Sequence, residues 1–85
     1  MVPEDTAHQG PTILITGAAG NLGGLLARHL APGGNSLRLM YHRKPLSADI
    51  ANALNVTPVR ADLADPRTLP PVVDGVDIVV HFAGV

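Results

Sequence analysis

The sequence has no cysteine, which excludes a disulfide bond and any metal site built on thiolate ligands. It has no tryptophan and only one tyrosine and one phenylalanine, so aromatic side chains contribute little to a core. The formal net charge of −1 argues against binding nucleic acid or a membrane surface through bulk electrostatics. No apolar run approaches the roughly 20 residues of a membrane helix, and Met1–Gly10 lacks a signal-peptide pattern. The 85 residues therefore predict one small cytoplasmic domain at most.

The apolar pattern predicts four short strands that alternate with helical segments. The strands are expected at Thr12–Thr16, Leu37–His42, Val56–Ala61 and Asp77–Phe82. This β-α-β-α-β-α-β order predicts an α/β fold with a parallel sheet and right-handed crossovers. Pro58 cannot donate a hydrogen bond to a neighbouring strand, so the third strand is expected at a sheet edge. Residues 1–11 are polar and without periodicity, and they predict a disordered leader before a domain at residues 12–85.

The three helical segments are predicted by sequence patterns of different strength. In the first, apolar residues and one histidine recur at helical spacing and predict a buried face formed by Leu22, Leu25, Leu26, His29 and Leu30. The second is expected at Ser47–Leu54 with Ser47 as its N-cap. The third has a favourable start at Asp65-Pro66, an N-cap residue followed by proline at the first helical position. Pro70 and Pro71 then require the helix to break or restart.

A glycine repeat lies between the first strand and the first helix. Gly17, Gly20 and Gly23 are each separated by two residues, and the context of strand, turn and helix makes this pattern far stronger than glycines alone. Gly17 is expected to allow a tight turn, Gly20 to let a pyrophosphate approach the backbone, and Gly23 to let the helix pack closely on the strand. The alternative is a glycine-rich turn without a ligand. A Walker loop is excluded because no Gly-Lys-Ser/Thr follows.

Three segments resemble the short-chain dehydrogenase/reductase superfamily, in its extended epimerase/dehydratase branch or its NmrA-like branch. They are the glycine loop Thr16–Gly23, the third-strand exit Arg60–Pro66 and the fourth strand with its His-x-Ala-Gly end, Asp77–Val85. The resemblance implies a partial NAD(P)-binding Rossmann domain at residues 12–85, with strand order 3-2-1-4. It also implies that the fourth strand forms an open edge, to which a partner chain is expected to bind.

The resemblance also implies which residues bind the dinucleotide. The loop would bind the pyrophosphate through Gly17, Ala19, Gly20, Asn21, Leu22 and Gly23. Two later segments would form the adenosine wall with Asp62, Leu63, Phe82, Ala83 and Gly84. His81 matches a fourth-strand histidine of the superfamily and is expected to be structural.

The choice between NADP and NAD depends on the turn after the second strand. NAD-binding domains usually place Asp or Glu about 20 residues after the glycine loop, where it binds the ribose 2′-hydroxyl. This turn instead contains Arg43 and Lys44, and no carboxylate. Arg43 is suited to a bidentate contact with a 2′-phosphate, which favours NADP over NAD. The alternative is an ordinary solvated basic turn.

No catalytic residue and no metal site are predicted. Tyr41 and Lys44 are three residues apart and follow a strand, whereas the superfamily's catalytic Tyr-x-x-x-Lys lies on a later helix. The four histidines do not have the spacing of metal ligands on one helix face. The chain is thus interpreted as the cofactor-binding N-terminal portion of an NAD(P)-dependent oxidoreductase, epimerase or dehydratase without its catalytic half. The alternatives are a non-catalytic NADP-binding redox sensor of the NmrA-like type and an inert truncated fragment.

Overall fold

A computed structural model describes residues 11–33 and 35–82, so the predicted leader lies almost wholly outside the described residues. The strands are β1 (Thr12–Thr16), β2 (Ser36–Tyr41), β3 (Val56–Arg60) and β4 (Ile78–His81). The helices are α1 (Asn21–Leu30), α2 (Ala48–Ala51) and α3 (Pro70–Val73), with 3-10 turns at Ala31–Gly33 and Pro66–Thr68. All four predicted strands are confirmed, and their ends agree with the sequence-based bounds to within about one residue.

The four strands form one parallel sheet in the order β3-β2-β1-β4, as predicted. In the register of this sheet, Leu14 of β1 pairs with Arg38 on β2 and with Val79 on β4. Pro58 lies on the edge strand β3 opposite Leu39, which confirms its predicted place. Because the strands are parallel, their carboxyl ends meet at one edge of the sheet, and the turns that follow β1, β2 and β3 start there.

Two apolar clusters pack on the two faces of the sheet. One contains Ile13, Ile15, Leu37 and Leu39 together with Ala27 of α1 and Ile50 of α2. The other contains Leu14 and Met40 together with Ala61 and with Val72 of α3. Alternate residues of β1 therefore enter opposite clusters, and this strand is buried on both faces as its continuous apolar sequence predicts.

The face that α1 turns to the sheet differs from the predicted one. Gly23, Gly24 and Ala27 are its buried residues. Leu26 and Leu30 are partly buried as expected, but Leu22 and Leu25 are 51% and 63% exposed and His29 is also exposed. Gly23 packs so closely on the turn after β1 that even a Cβ would collide with the Gly17 carbonyl oxygen, so small residues occupy the inner face of the helix. Leucine spacing alone therefore gave a prediction that was wrong for Leu22, Leu25 and His29.

The second crossover has a shorter helix than predicted, and Ser47 is its N-cap by position only. Helix α2 ends at Ala51 rather than at Leu54. The Ser47 side chain does not cap the helix, and its hydroxyl instead accepts a hydrogen bond from the Arg28 guanidinium at 3.4 Å.

The third crossover is interrupted as its prolines predict. Asp65 caps the 3-10 turn by accepting a hydrogen bond from the Arg67 backbone N–H at 3.1 Å. The chain then restarts as α3 at Pro70. The carbonyl of Val72 in this helix and that of Asp74 just after it accept hydrogen bonds from Arg38 of β2, at 2.7 Å and 2.6 Å. These contacts attach the crossover to the sheet.

Candidate functional site

The turn between β1 and α1 has the geometry that its glycine spacing predicts. Gly17 has a φ of 68°, a conformation that favours glycine. Its carbonyl accepts a hydrogen bond from the Gly20 N–H at 3.0 Å, which closes the turn. A Cβ added at Gly23 would collide with the Gly17 carbonyl oxygen and lie 2.9 Å from the Ala18 Cα. The absence of a side chain at Gly23 therefore allows α1 to start directly against the turn.

The N-terminus of α1 opens at the carboxyl edge of the sheet. The first backbone N–H groups of an α-helix have no acceptor within the helix, and no side chain caps this one. Gly20 precedes the helix in an extended conformation and brings no side chain to it. Together with the partial positive charge of a helix N-terminus, these N–H groups provide a place for an anionic group.

A first cleft, which we call the strand-end cleft, lies between the ends of β2 and β3 and has a volume of about 300 Å³. It brings together five of the residues predicted from the sequence, namely Gly17, Ala19, Arg43, Asp62 and Leu63. Lys44, which the sequence suggested as a second positive charge for the 2′-phosphate, lines it as well. The remaining lining residues were not predicted to bind the cofactor: Met40, Tyr41, His42 and Ala61. Their position next to the ends of two adjacent parallel strands is the signal that would have identified them.

A second cleft of about 270 Å³ lies on the other side of Gly17. It collects most of the other predicted residues, and its lining consists of Gly17, Gly20, Asn21, Leu22, Gly23 and Phe82. Gly17 thus borders both clefts, and a ligand that crosses the glycine turn would occupy the two together. Ala83 and Gly84 lie outside the described residues.

A third cleft of about 320 Å³ flanks the glycine turn on the α2 side, and Ala19, Gly20 and Asn21 of the predicted loop line it. Its polar side chains are those of Asn21, Arg28, Lys44 and Ser47. Arg28 is paired with Asp49 at 3.0 Å, and this hydrogen bond lowers the pKa of the Asp49 carboxyl below its usual value. Because Lys44 borders both this cleft and the strand-end cleft, the sequence after β2 contributes a cation to each of them.

The charged groups of the strand-end cleft differ in how they are held. Within residues 11–33 and 35–82, the exposed side chains of Arg43 and Lys44 take part in no hydrogen bond or ion pair. Asp62 is held in place: its Oδ1 accepts a hydrogen bond from the Ala64 N–H at 2.9 Å, and its Oδ2 lies 3.6 Å from His42 Nε2. Asp62 therefore both closes a turn and faces the cleft.

Phe82 is positioned by a contact between the ends of β1 and β4. Its backbone N–H donates to the hydroxyl oxygen of Thr16 at 3.0 Å. The same hydroxyl lies 2.8 Å from Nδ1 of His81. Thr16 is buried, so this side chain fixes the ends of the two strands against each other beside the second cleft.

The described part of the chain contains no group of three or more His, Cys, Asp or Glu residues arranged to hold a metal ion. None of its helices is long and apolar enough to cross a membrane.

The sheet order and the glycine turn define the class of this protein. A parallel sheet in the order 3-2-1-4, with a glycine-rich turn leading from its first strand into its first helix, is an α/β fold of the Rossmann type. The sequence matches the NmrA-like family over residues 9–84, and the chain belongs to that family. The family binds a nicotinamide dinucleotide.

Relatives include proteins named as reductases. The chain is 38% identical over 72 residues to the ceramide reductase of Caulobacter vibrioides, covering 85% of this chain and 22% of the relative. It is 33% identical over 72 residues to the Arabidopsis thaliana chloroplast protein High Chlorophyll Fluorescence Phenotype 244, covering 85% of this chain and 18% of the relative. Among solved structures, an isoflavone reductase matches with a TM-score of 0.72 at 26% identity, covering 89% of this chain and 28% of that one. The chain thus spans about a fifth of these curated relatives.

Proposed function

We propose that residues 12–85 bind the adenosine and pyrophosphate parts of NADP(H) within an NADP-dependent oxidoreductase. The observation that carries this proposal is the strand-end cleft, in which two cations without a partner among the described residues, Arg43 and Lys44, lie beside the glycine turn. The chain covers only about a fifth of the length of these two curated relatives. The oxidoreductase activity of the whole protein is therefore proposed and rests on residues outside this chain's matched segment.

The pyrophosphate is assigned to the N-terminus of α1. Asn21 and Leu22 supply backbone N–H groups there, Gly20 leaves the approach open because it has no side chain, and Gly17 and Ala19 shape the turn on which the phosphates lie. Gly23 contributes indirectly, because it allows the helix to start this close to the turn. This geometry accepts two linked phosphates without a positively charged side chain.

The adenosine is assigned to the strand-end cleft. The exposed side chain of Leu63 offers an apolar surface to the base, and the Asp62 carboxylate offers a hydrogen-bond acceptor. Phe82 lies on the far side of Gly17 in the second cleft, and Ala83 and Gly84 follow it in sequence. We assign these last three residues to the ribose side of the same ligand.

The 2′-phosphate is assigned to Arg43, with Lys44 as a second positive charge. A guanidinium presents paired N–H groups that match a phosphate, whereas NAD-binding turns usually offer a carboxylate at this point. The residues from Tyr41 to Lys44 contain no carboxylate. A complete protein of this type would transfer a hydride between the nicotinamide and a carbonyl or alcohol carbon of its substrate.

The outer edge of β4 is proposed to be covered by further protein. Within the described residues, β4 has a neighbour only on the β1 side. Its residues Ile78 and Val79 are exposed although they are apolar. An open apolar edge strand promotes aggregation, which supports a further strand, from the same protein or from a partner, at this edge.

Measured affinities of the full-length protein test the choice of cofactor. We expect NADPH to bind more tightly than NADH, and Arg43→Ala to weaken NADPH binding by about tenfold or more, because a hydrogen bond between charged groups is worth about 1.5–3 kcal/mol. NADH binding should change by less than about twofold, since NADH has no 2′-phosphate. Arg67→Ala is the matched control, because Arg67 is exposed and pairs with Asp65 away from the clefts. Equal affinities for the two dinucleotides would overturn the assignment.

A further inference from the structure

The strand-end cleft contains a histidine that the cofactor assignment leaves without a role. His42 and Asp62 both line the cleft, and Nε2 of His42 lies 3.6 Å from Oδ2 of Asp62. The two side chains are 41% and 38% exposed, so both are accessible to a ligand. In the described part of the chain, Asp62 is the only partner of the imidazole.

Asp62 cannot easily turn away from this contact. Its backbone N–H donates to the hydroxyl oxygen of Thr68 at 3.1 Å, and its carbonyl accepts from the same hydroxyl at 3.0 Å. Its Oδ1 is occupied by the Ala64 N–H at 2.9 Å. The remaining oxygen, Oδ2, therefore faces His42 in a fixed position.

The charge of the cleft depends on whether His42 is protonated. Arg43 and Lys44 contribute two positive charges, and Asp62 contributes the only negative charge among the lining residues. From β3, Arg60 approaches as well, but its Nε donates to the backbone carbonyl of His42 at 3.2 Å rather than to the ring. The other titratable side chain in the lining is the phenol of Tyr41. Protonation of His42 thus raises the net charge of the lining from one positive charge to two.

We infer that His42 is a specificity-determining residue, whose protonation next to Asp62 strengthens the preference for NADP+ over NAD+ as the pH falls. The inference rests on the proposed function and extends it. NADP+ differs from NAD+ by a 2′-phosphate that carries roughly −1.5 to −2 charges near neutral pH. A positive charge added to the cleft therefore attracts NADP+ more than NAD+. Histidine is the side chain whose charge ordinarily changes between about pH 5 and 8.

The expected effect is modest because both side chains are partly exposed and salt screens their charges. Exposed ion pairs contribute up to about 1 kcal/mol, which corresponds to a change in affinity of about fivefold at most. We therefore expect the ratio of the NAD+ and NADP+ dissociation constants to rise by about threefold between pH 8 and pH 5.5 through His42 alone.

The test compares wild-type protein with His42→Asn, which keeps a polar side chain but cannot gain a charge. Dissociation constants of NADP+ and NAD+ are measured by calorimetry on the full-length protein from about pH 5.5 to about pH 8, because the oxidised cofactors tolerate acid. The 2′-phosphate itself titrates near pH 6, but equally in both proteins, so dividing the wild-type ratio by the variant ratio removes its contribution. A threefold rise in this quotient supports the inference. Parallel curves for the two proteins overturn it.

A second variant separates charge from geometry. Asp62→Asn removes the negative charge at every pH, so the preference for NADP+ should rise by about twofold to threefold already at pH 8. Asp74→Asn, which removes an exposed carboxylate outside the cleft, should leave the preference unchanged. An Asp62→Asn protein without this rise overturns the electrostatic explanation. If wild-type protein binds NADP+ no better than NAD+ at any pH, the proposed function is wrong as well. If wild-type protein prefers NADP+ but its preference changes with pH in parallel with that of His42→Asn, only the inference about His42 is wrong.

Discussion

The inner strand β1 and its neighbour β4 at the edge of the sheet are similar in sequence and different in environment. Both are short and dominated by Ile, Leu and Val. Leu14 of β1 is 2% exposed, whereas Val79, its partner in the register of β4, is 54% exposed. The difference arises from position: β1 has a strand on each side, and β4 has one only on the β1 side within the described residues. Apolar composition thus identifies a strand but does not tell how deeply it is buried.

The connection that leaves β1 and the connection that enters β4 are stabilised in different ways. The turn after β1 depends on close backbone packing, because Gly23 leaves no room for a side chain beside Gly17. The crossover into β4 depends on polar contacts, such as the carbonyls of α3 bonded to Arg38 and the N-cap of Asp65. Substitutions should therefore act through steric collision and lost packing in the first region, and through charge and hydrogen bonding in the second.

The largest effect is expected at the centre of the sheet. Leu14→Ala should lower the free energy of unfolding by about 2–5 kcal/mol, because it removes a fully buried side chain and leaves a cavity. Chemical denaturation of the full-length protein measures this loss. Leu54→Ala is the matched control, since Leu54 is fully exposed and should change stability by less than about 0.5 kcal/mol. Equal losses in the two variants would contradict the described core.

The next effect is expected at the glycine turn. Gly23→Ala should lower stability by about 1–3 kcal/mol, because the new Cβ forces the helix away from the Gly17 carbonyl. It should also weaken dinucleotide binding, since the N-terminus of α1 moves with the helix. Gly24→Ala on the same helix is the control: its Cβ would lie 3.2 Å from the flexible end of Arg28, which can move aside. A Gly23→Ala protein with unchanged melting temperature and affinity would show that the close approach has no role.

A substitution on β4 tests whether the outer edge of this strand is covered. If further protein covers this edge as proposed, Val79→Ala should lower stability by about 1 kcal/mol, more than the exposed Leu54→Ala does. The reason is that Val79 would then lie inside an interface. The same denaturation experiment on the full-length protein measures it. A loss no larger than that of Leu54→Ala would show that the edge stays open.

The sequence predicted the strands because they depend on local patterns, whereas their order in the sheet was predicted from the family resemblance. Pro58 correctly indicated an edge strand, and the glycine spacing correctly located the turn before α1. The prediction of the buried face of α1 was wrong at Leu22 and Leu25. The helix packs so closely on the turn after β1 that small residues occupy its inner face. Sequence periodicity contains no information on the distance between a helix and its sheet.

The candidate site was predictable to the extent that its residues belong to motifs. Arg43, Asp62 and Leu63 meet in the strand-end cleft although they come from different crossovers, because parallel strands end at the same edge. His42 was not predicted, since its significance depends on an atom of Asp62 that is 20 positions away in sequence and close only in the fold. Pairings of this kind follow from the register of β2 and β3, which no local pattern specifies.

The smallest expected effect concerns the charge of the polar crossover into β4. The Arg67 guanidinium, and then its backbone N–H, donate hydrogen bonds to Asp65 and lower the pKa of that carboxyl below its usual value. A carboxyl with a lowered pKa in the folded state stabilises the protein above its unfolded pKa of about 3.8, and this contribution is lost as the pH falls through the folded value. Melting temperatures measured between about pH 5 and about pH 2.5 should therefore fall less in Asp65→Asn than in wild type, while Asp74→Asn should follow wild type. Identical profiles for wild type and Asp65→Asn would show that this crossover, like the centre of the sheet, does not depend on its charges.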